Sequence, residues 1–243
     1  MDPYEMGGIK LDFENFPDIL KETKDEKGKI KIAIVFGSGR FAGANHIGYI
    51  TDALFVPEIV IGLNYWAIKN RCDLIIESHL DIDCDNQEYL TEYNFISIGS
   101  GRVNKVSKMV QDYFGKGLKV RFVPPNAPTI VSDLSGFVYT IGIAPGERVG
   151  ILTLLCNPWA KDESKKRLIV LAAGNFPLGT IAALQMLAHF VKEGRGRNNM
   201  YNPQIPAIVC QGICKSYNKD IPLAQGVGRA IEICSTQSVI FLE

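Results

Sequence analysis

Ile32-Ala33-Ile34-Val35-Phe36-Gly37-Ser38-Gly39-Arg40 and Phe95-Ile96-Ser97-Ile98-Gly99-Ser100-Gly101-Arg102 each run an apolar, β-branched stretch into the same four-residue elbow. Leu168-Ile169-Val170-Leu171-Ala172-Ala173-Gly174-Asn175 repeats the theme with a different ending. Short continuous apolar runs read as strands buried on both faces. A glycine directly after such a strand lets the chain turn tightly and brings backbone N–H groups close to an anion. Ligands of α/β sheets gather outside the carboxyl ends of the strands. The three elbows therefore predict a largely parallel sheet and the rim on which a ligand would sit.

The segments between the elbows fit that reading. Pro57 suits the first turn of a helix over 57–69, whose Ile59, Leu63, Trp66 and Ala67 share a face. A second strand is expected over 73–77, a third over 94–98, and a helix over 104–114 with Val106, Met109 and Val110 turned inward. Strand, turn and helix in succession favour parallel pairing. The texture then changes, with strands expected at 120–123, 137–143 and 149–156; Ala144-Pro145-Gly146-Glu147 would join the last two as a hairpin. The parallel theme resumes with a helix over 178–191, ended by Gly194, and antiparallel strands are expected at 207–211, 229–234 and 238–242, with a turn at 226–228. The expected fold is one α/β domain over 31–243, a three-layer mixed sheet with a parallel centre, antiparallel edge strands and a β-hairpin insertion near 120–156. Residues 1–30 read as a charged lead-in, within which Phe13, Phe16, Ile19 and Leu20 have helix-like spacing and could dock.

Composition narrows the function. Across 243 residues, 26 basic and 26 acidic side chains leave no net field to attract nucleic acid or an anionic membrane. Six cysteines are scattered without the spacing of a disulfide scaffold and read as reduced thiols. No apolar stretch approaches the roughly 18 residues of a membrane span, and the amino terminus lacks the pattern of a signal peptide. A soluble cytoplasmic protein is expected.

Gly37-Ser38-Gly39-Arg40-Phe41-Ala42-Gly43 is one residue longer than the dinucleotide-binding fingerprint, and Glu77, at the expected end of the second strand, is the candidate for a ribose hydroxyl. If the elbows converge, Gly37, Ser38, Gly39, Arg40, Gly99, Ser100, Gly101, Arg102, Asn104, Gly174 and Asn175 surround one crevice. Arg40 and Arg102 would then offer paired donors to phosphate or carboxylate; alternatively they pair with Glu77 and Asp133. Glu77 and His79 share a face of an extended segment and are the acid–base candidates. His46, His79 and Glu77 lack the spacing of a metal site, and Cys210 with Cys214 lacks zinc partners. Asp81, Asp83, Asp85 and Glu92 imitate a calcium loop, but Asn86 stands where its glycine belongs. That segment reads as a solvated acidic loop, and Cys156 as a buried thiol.

The stretch from Phe95 through Asn104, together with Leu168 through Ala183, resembles a pattern in poorly characterised Rossmann-like domains: a strand ending in Ile-Gly-x-x-x-Asn, then an Ala-Gly elbow running through Gly-Thr into an alanine-rich helix. Archaeal surface-layer proteins carry a similar pattern. The resemblance implies a Rossmann-like sheet with an antiparallel insertion and leaves activity and cofactor unspecified. Three functions remain open: a module that binds a small anionic metabolite, most plausibly a nucleotide derivative; an enzyme acting on a nucleotide or nucleoside through Glu77 and His79; and a structural or assembly protein.

Overall fold

Alternation along the apolar strands decides what covers each face of the sheet. The computed structural model describes residues 2–38, 53, 55–85, 87–124, 129–140, 147–160, 166–175, 177–193, 206–214 and 237–241. Within them the order is β1 (Glu5–Met6), β2 (Ile9–Lys10), β3 (Lys29–Phe36), α1 (Val56–Lys69), β4 (Asp73–Leu80), α2 (Gln87–Glu92), β5 (Asn94–Ile98) and α3 (Lys105–Phe114). There follow β6 (Val120–Phe122), β7 (Ile130–Ser132), β8 (Val138–Tyr139), β9 (Glu147–Cys156), β10 (Leu168–Gly174), α4 (Pro177–Glu193), β11 (Ala207–Cys214) and β12 (Gln237–Phe241).

Among the described residues seven strands form one mixed sheet in the order β12-β11-β9-β10-β5-β3-β4. β10, β5, β3 and β4 are mutually parallel, whereas β9 is antiparallel to both its neighbours and β12 is antiparallel to β11. The parallel strands thus occupy one half of the sheet and reach its edge at β4, rather than lying in the centre between antiparallel margins. The expected pairing of 137–143 with 149–156 is also replaced. β8 pairs with β7 in a separate three-stranded sheet, and β9 inserts between β10 and β11. The cause is composition: Val149, Ile151, Leu152, Leu154 and Leu155 are all buried, and a strand apolar on both faces belongs inside a sheet. Residues 229–234, the turn at 226–228 and Gly194 lie outside the described residues.

One face of the sheet presents Ile32, Ile34, Ile96, Val170 and Leu152 to α1 and α4. The other presents Ala33, Val35, Phe95 and Ile169 to α3, and Ile151, Leu171 and Ala173 to the small sheet around Val120, Phe122 and Ile130. Ile59, Leu63, Trp66 and Ala67 of α1 are buried as their spacing predicts, and so are Val106 and Val110 of α3. Phe13, Phe16, Ile19 and Leu20 dock into the first of these clusters, the last two from a short 3-10 helix, Asp18–Thr23. Met6 and Leu11 join them, so the segment ahead of β3 packs over much of its length.

α4 lies on the sheet through backbone contact. A β-carbon on Gly150 of β9 would strike Gly179 of α4; one on Gly174 of β10 would strike Gly179 and Thr180; one on Gly179 would strike the Val149 carbonyl. With Gly212 of β11, whose β-carbon would strike the Leu178 carbonyl of α4, these glycines set the separation of helix and strands. We predict that Gly179→Ala lowers unfolding free energy by at least about 2 kcal/mol, in the upper range for overpacking because the obstacle is backbone. Gly117→Ala, whose β-carbon meets Pro3 only at 3.9 Å, should stay within about 0.5 kcal/mol of the parent. Urea denaturation of both variants checks the pair.

Candidate functional site

Register brings the strand ends together. Phe36 pairs with Ile98, and Ile98 with Ala172, so Gly37, Gly99 and Gly174 follow one another along the rim formed by β3, β5 and β10. β4 ends at the same level, with Leu80 opposite Phe36, so Asp81 joins the rim. Gly39, Arg40 and His46 lie outside the described residues.

Two buried side chains tie this rim to α3. Asn104, the N-cap of α3, donates from Nδ2 to the carbonyls of Val35 (3.0 Å) and Ile98 (2.9 Å), and its Oδ1 accepts from Ser107 N (3.1 Å). Asp81 accepts from Ser38 N at Oδ1 (2.6 Å) and from Lys105 N at Oδ2 (2.7 Å). Together they connect the ends of β3, β4 and β5 to the first turn of the helix. Its positive end is met by an internal carboxylate and a capping amide. Both donors of Asn104 are spent within the fold, so this candidate acts as a staple between strands and helix.

The remaining candidates fall into two groups. Gly37, Gly174 and Asn175 serve packing and pairing: a β-carbon on Gly37 would strike the Val103 carbonyl, and Asn175 accepts from Val149 N at Oδ1 (3.1 Å) while donating its own N–H to Val149 O (3.0 Å). Gly99 adopts φ +98°, a conformation that favours glycine, and turns the chain out of β5. Beyond it, Ser100 is half-buried, Gly101 buried and Arg102 exposed. Asp133, the alternative partner for an arginine, is ion-paired with Arg121, and Glu77 contacts His79. Ser38 is 2% exposed, and its Oγ has no hydrogen-bond partner among the described residues.

Glu77 and His79 do come together, with His79 Nε2 3.2 Å from Glu77 Oε2. Tyr93 is hydrogen-bonded to Glu77, and burial followed by the Glu77 charge pushes its phenol up to about 12. Tyr89 lies against His79, with ring centroids 4.5 Å apart. Because β4 runs to Leu80, Glu77 is in mid-strand and not at its end. It lies four positions before Asp81 on the rim, about 13 Å along an extended chain. Glu77 therefore lies down the face of β4, and His79, opposite Val35, stands between it and the rim.

Asp81 is the residue that sequence reading missed. It was expected in a solvated loop, yet it is 1% exposed; the signal was its position, directly after the true end of β4. Cys72, Cys84, Cys156 and Cys210 are free thiols. Burial raises the Cys156 thiol and pushes Cys210 up to about 12, so neither is poised as a nucleophile. No helix among the described residues is long and apolar enough to cross a membrane. No protein-family model matches the chain, and a search of curated proteins finds no match.

Asp81→Ala leaves the Ser38 and Lys105 N–H groups without their acceptor, and we predict a loss of about 2–4 kcal/mol. Asp83→Ala, which removes only an exposed acceptor 3.3 Å from Leu80 N, should cost about 0.5 kcal/mol or less. Equilibrium denaturation with guanidinium measures the difference.

Proposed function

We propose that this chain is a ligand-binding or sensory module of Rossmann-like, three-layer architecture, holding a small anionic metabolite, above all a nucleotide derivative, at the ends of β10, β5 and β3. Apolar clusters on both faces of the seven-stranded sheet support the architecture. The observation that carries the ligand reading is Ser38 Oγ, a buried hydroxyl without a partner among the described residues. It stands just past an elbow packed against the Val103 carbonyl, beside the turn that bears Arg102. A buried hydroxyl left unpaired costs about 1–3 kcal/mol, which a ligand oxygen would relieve. Arg102 has no ion pair among the described residues, so its guanidinium can meet the charge of the ligand.

Thermal-shift measurements with nucleotides and phosphorylated metabolites test this. Ligand at a hundredfold excess over Kd should stabilise by about 2.7 kcal/mol. Arg102→Ala should raise Kd more than tenfold, about 1.4 kcal/mol, and leave the Tm without ligand unchanged. A parent protein that no such ligand stabilises removes the reading, and an unchanged Kd removes Arg102 from it.

The contact between Glu77 and His79 supports a second reading, an enzyme acting on a nucleotide or nucleoside. Under it, Glu77→Gln should cost roughly 10²–10⁴-fold in turnover while sparing binding. Assay of the variant beside the parent against nucleotide and nucleoside substrates separates the two: a module that only binds turns over none of them, whichever residue stands at 77.

A further inference from the structure

The amino ends of the same strands hold a cavity of about 400 Å³, at the opposite end of β3 from the elbows. Small-molecule sites fall in this size range. Lys27, Lys29, Lys31 and Arg167 line it and outnumber its carboxylates, Asp25, Glu26 and Glu92. Arg167, immediately before β10, is 4% exposed. It donates from Nε to Glu92 O (2.7 Å) and from Nη1 to Thr23 O and Lys166 O (both 2.8 Å). Those three bonds occupy Nε and both Nη1 hydrogens. Nη2 makes no hydrogen bond among the described residues, so a buried cation keeps one nitrogen unspent on the wall of a cavity.

Lys31 faces the same space. Its Nζ forms long ion pairs with Asp25 Oδ2 (3.8 Å) and Glu92 Oε2 (3.6 Å), neither close enough to take up one of its N–H donors in a hydrogen bond. Asp25 Oδ1 accepts from the backbone N–H groups of Lys27 and Lys29 (both 2.9 Å), which leaves Oδ2 as the oxygen that faces Lys31. Lys31 Nζ also stands 5.5 Å from the Tyr93 ring centroid, which gives the cavity an aromatic neighbour. Ile75, on the β4 side, is two residues from Glu77, about 7 Å along the strand and on the same face.

We propose that this cavity is a second anion site, taking the phosphate group of a small phosphate monoester between Arg167 Nη2 and Lys31 Nζ. A planar carboxylate is best held by two nitrogens of one guanidinium, and Arg167 has only one to give. A tetrahedral phosphate places its oxygens on separate donors and suits a single nitrogen facing an ammonium group. The organic part of the ligand would then lie along Tyr93, toward the Glu77–His79 pair. This site is distinct from the rim and does not depend on the reading given for it.

Inorganic phosphate is the probe, titrated into the full chain against chloride at constant ionic strength and followed by calorimetry and Tm. The parent should bind phosphate saturably. Lys31→Met keeps the aliphatic stem, and should weaken binding at least tenfold with an unchanged Tm in chloride. In an Arg102→Ala background, which takes the rim out of the titration, Lys31→Met should give the same tenfold loss. Arg167→Lys, which removes Nη2, should also weaken binding at least tenfold; Lys27→Ala, on an exposed side chain, should weaken it measurably with an unchanged Tm, and decides the matter where either of the other cavity variants fails to fold. Absence of saturable binding in the parent overturns the site. So does binding that Lys31→Met leaves unchanged; where Arg102→Ala abolishes that binding, the phosphate sits at the rim and the rim reading stands.

Discussion

Three parallel strands end against one helix, and two buried side chains hold them there. Asn104 reaches the carbonyls of Val35 and Ile98, and Asp81 reaches the N–H groups of Ser38 and Lys105. Every one of these groups is a backbone donor or acceptor left over where a strand stops or a helix starts, and burial makes each costly to leave unpaired. Meeting them with one amide and one carboxylate fixes how β3, β4 and β5 end relative to α3. It also fixes the turn between Gly99 and Asn104, whose outermost side chain is Arg102. Because Asp81 already faces the positive end of α3, an external anion at this rim depends on side-chain and turn donors more than on the helix dipole.

A different contact governs the other half of the sheet. Gly150, Gly174 and Gly179 let α4 approach β9 and β10 at backbone distance. Asn175 extends the pairing of β10 with β9 past the end of the strand through its bonds to Val149. The elbow at Gly174 therefore resembles those at Gly37 and Gly99 in sequence while doing different work. Gly99 supplies a positive φ, Gly37 makes room for a carbonyl, and Gly174 admits a helix. One sequence signal, a glycine after a strand, covers three physical reasons.

The strands and helices were legible because their signals are local. Period and turn residues located β3, β5, β10, α1 and α3 to within a few residues, and the three elbows indicated parallel neighbours. Strand order was not legible. The insertion of β9 between β10 and β11 follows from side chains buried on both faces, and a short apolar run does not say which strands will flank it. Asp81, and the part Asn104 plays as a staple and not as a ligand donor, were not legible for a related reason: their partners Ser38 and Val35 lie 43 and 69 positions away in sequence. In sequence the strand ends at Glu77, because Ser78 and His79 weaken the apolar pattern. β4 continues because its register with β3 pairs them with Ile34 and Val35, and an edge strand tolerates polar side chains.

Arg167 shows the same limit from the side of charge. A formal net charge of zero rules out a strong uniform field, but it carries no information about segregation within the fold. β3 begins with Lys29 and Lys31 and ends in an apolar run, so its own sequence puts cations at one end of the sheet. Arg167 reaches that end from the start of β10, drawn in by carbonyls from residues 23, 92 and 166. Those carbonyls belong to chain segments arriving at β3, β5 and β10, each exposing acceptors where its strand begins. The guanidinium thus does at the amino ends what Asn104 and Asp81 do at the carboxyl ends: it satisfies backbone groups that the sheet leaves open. The difference lies in what remains. Asn104 and Asp81 are spent on the fold, whereas Arg167 Nη2 makes no hydrogen bond among the described residues, and the side chain lines a cavity.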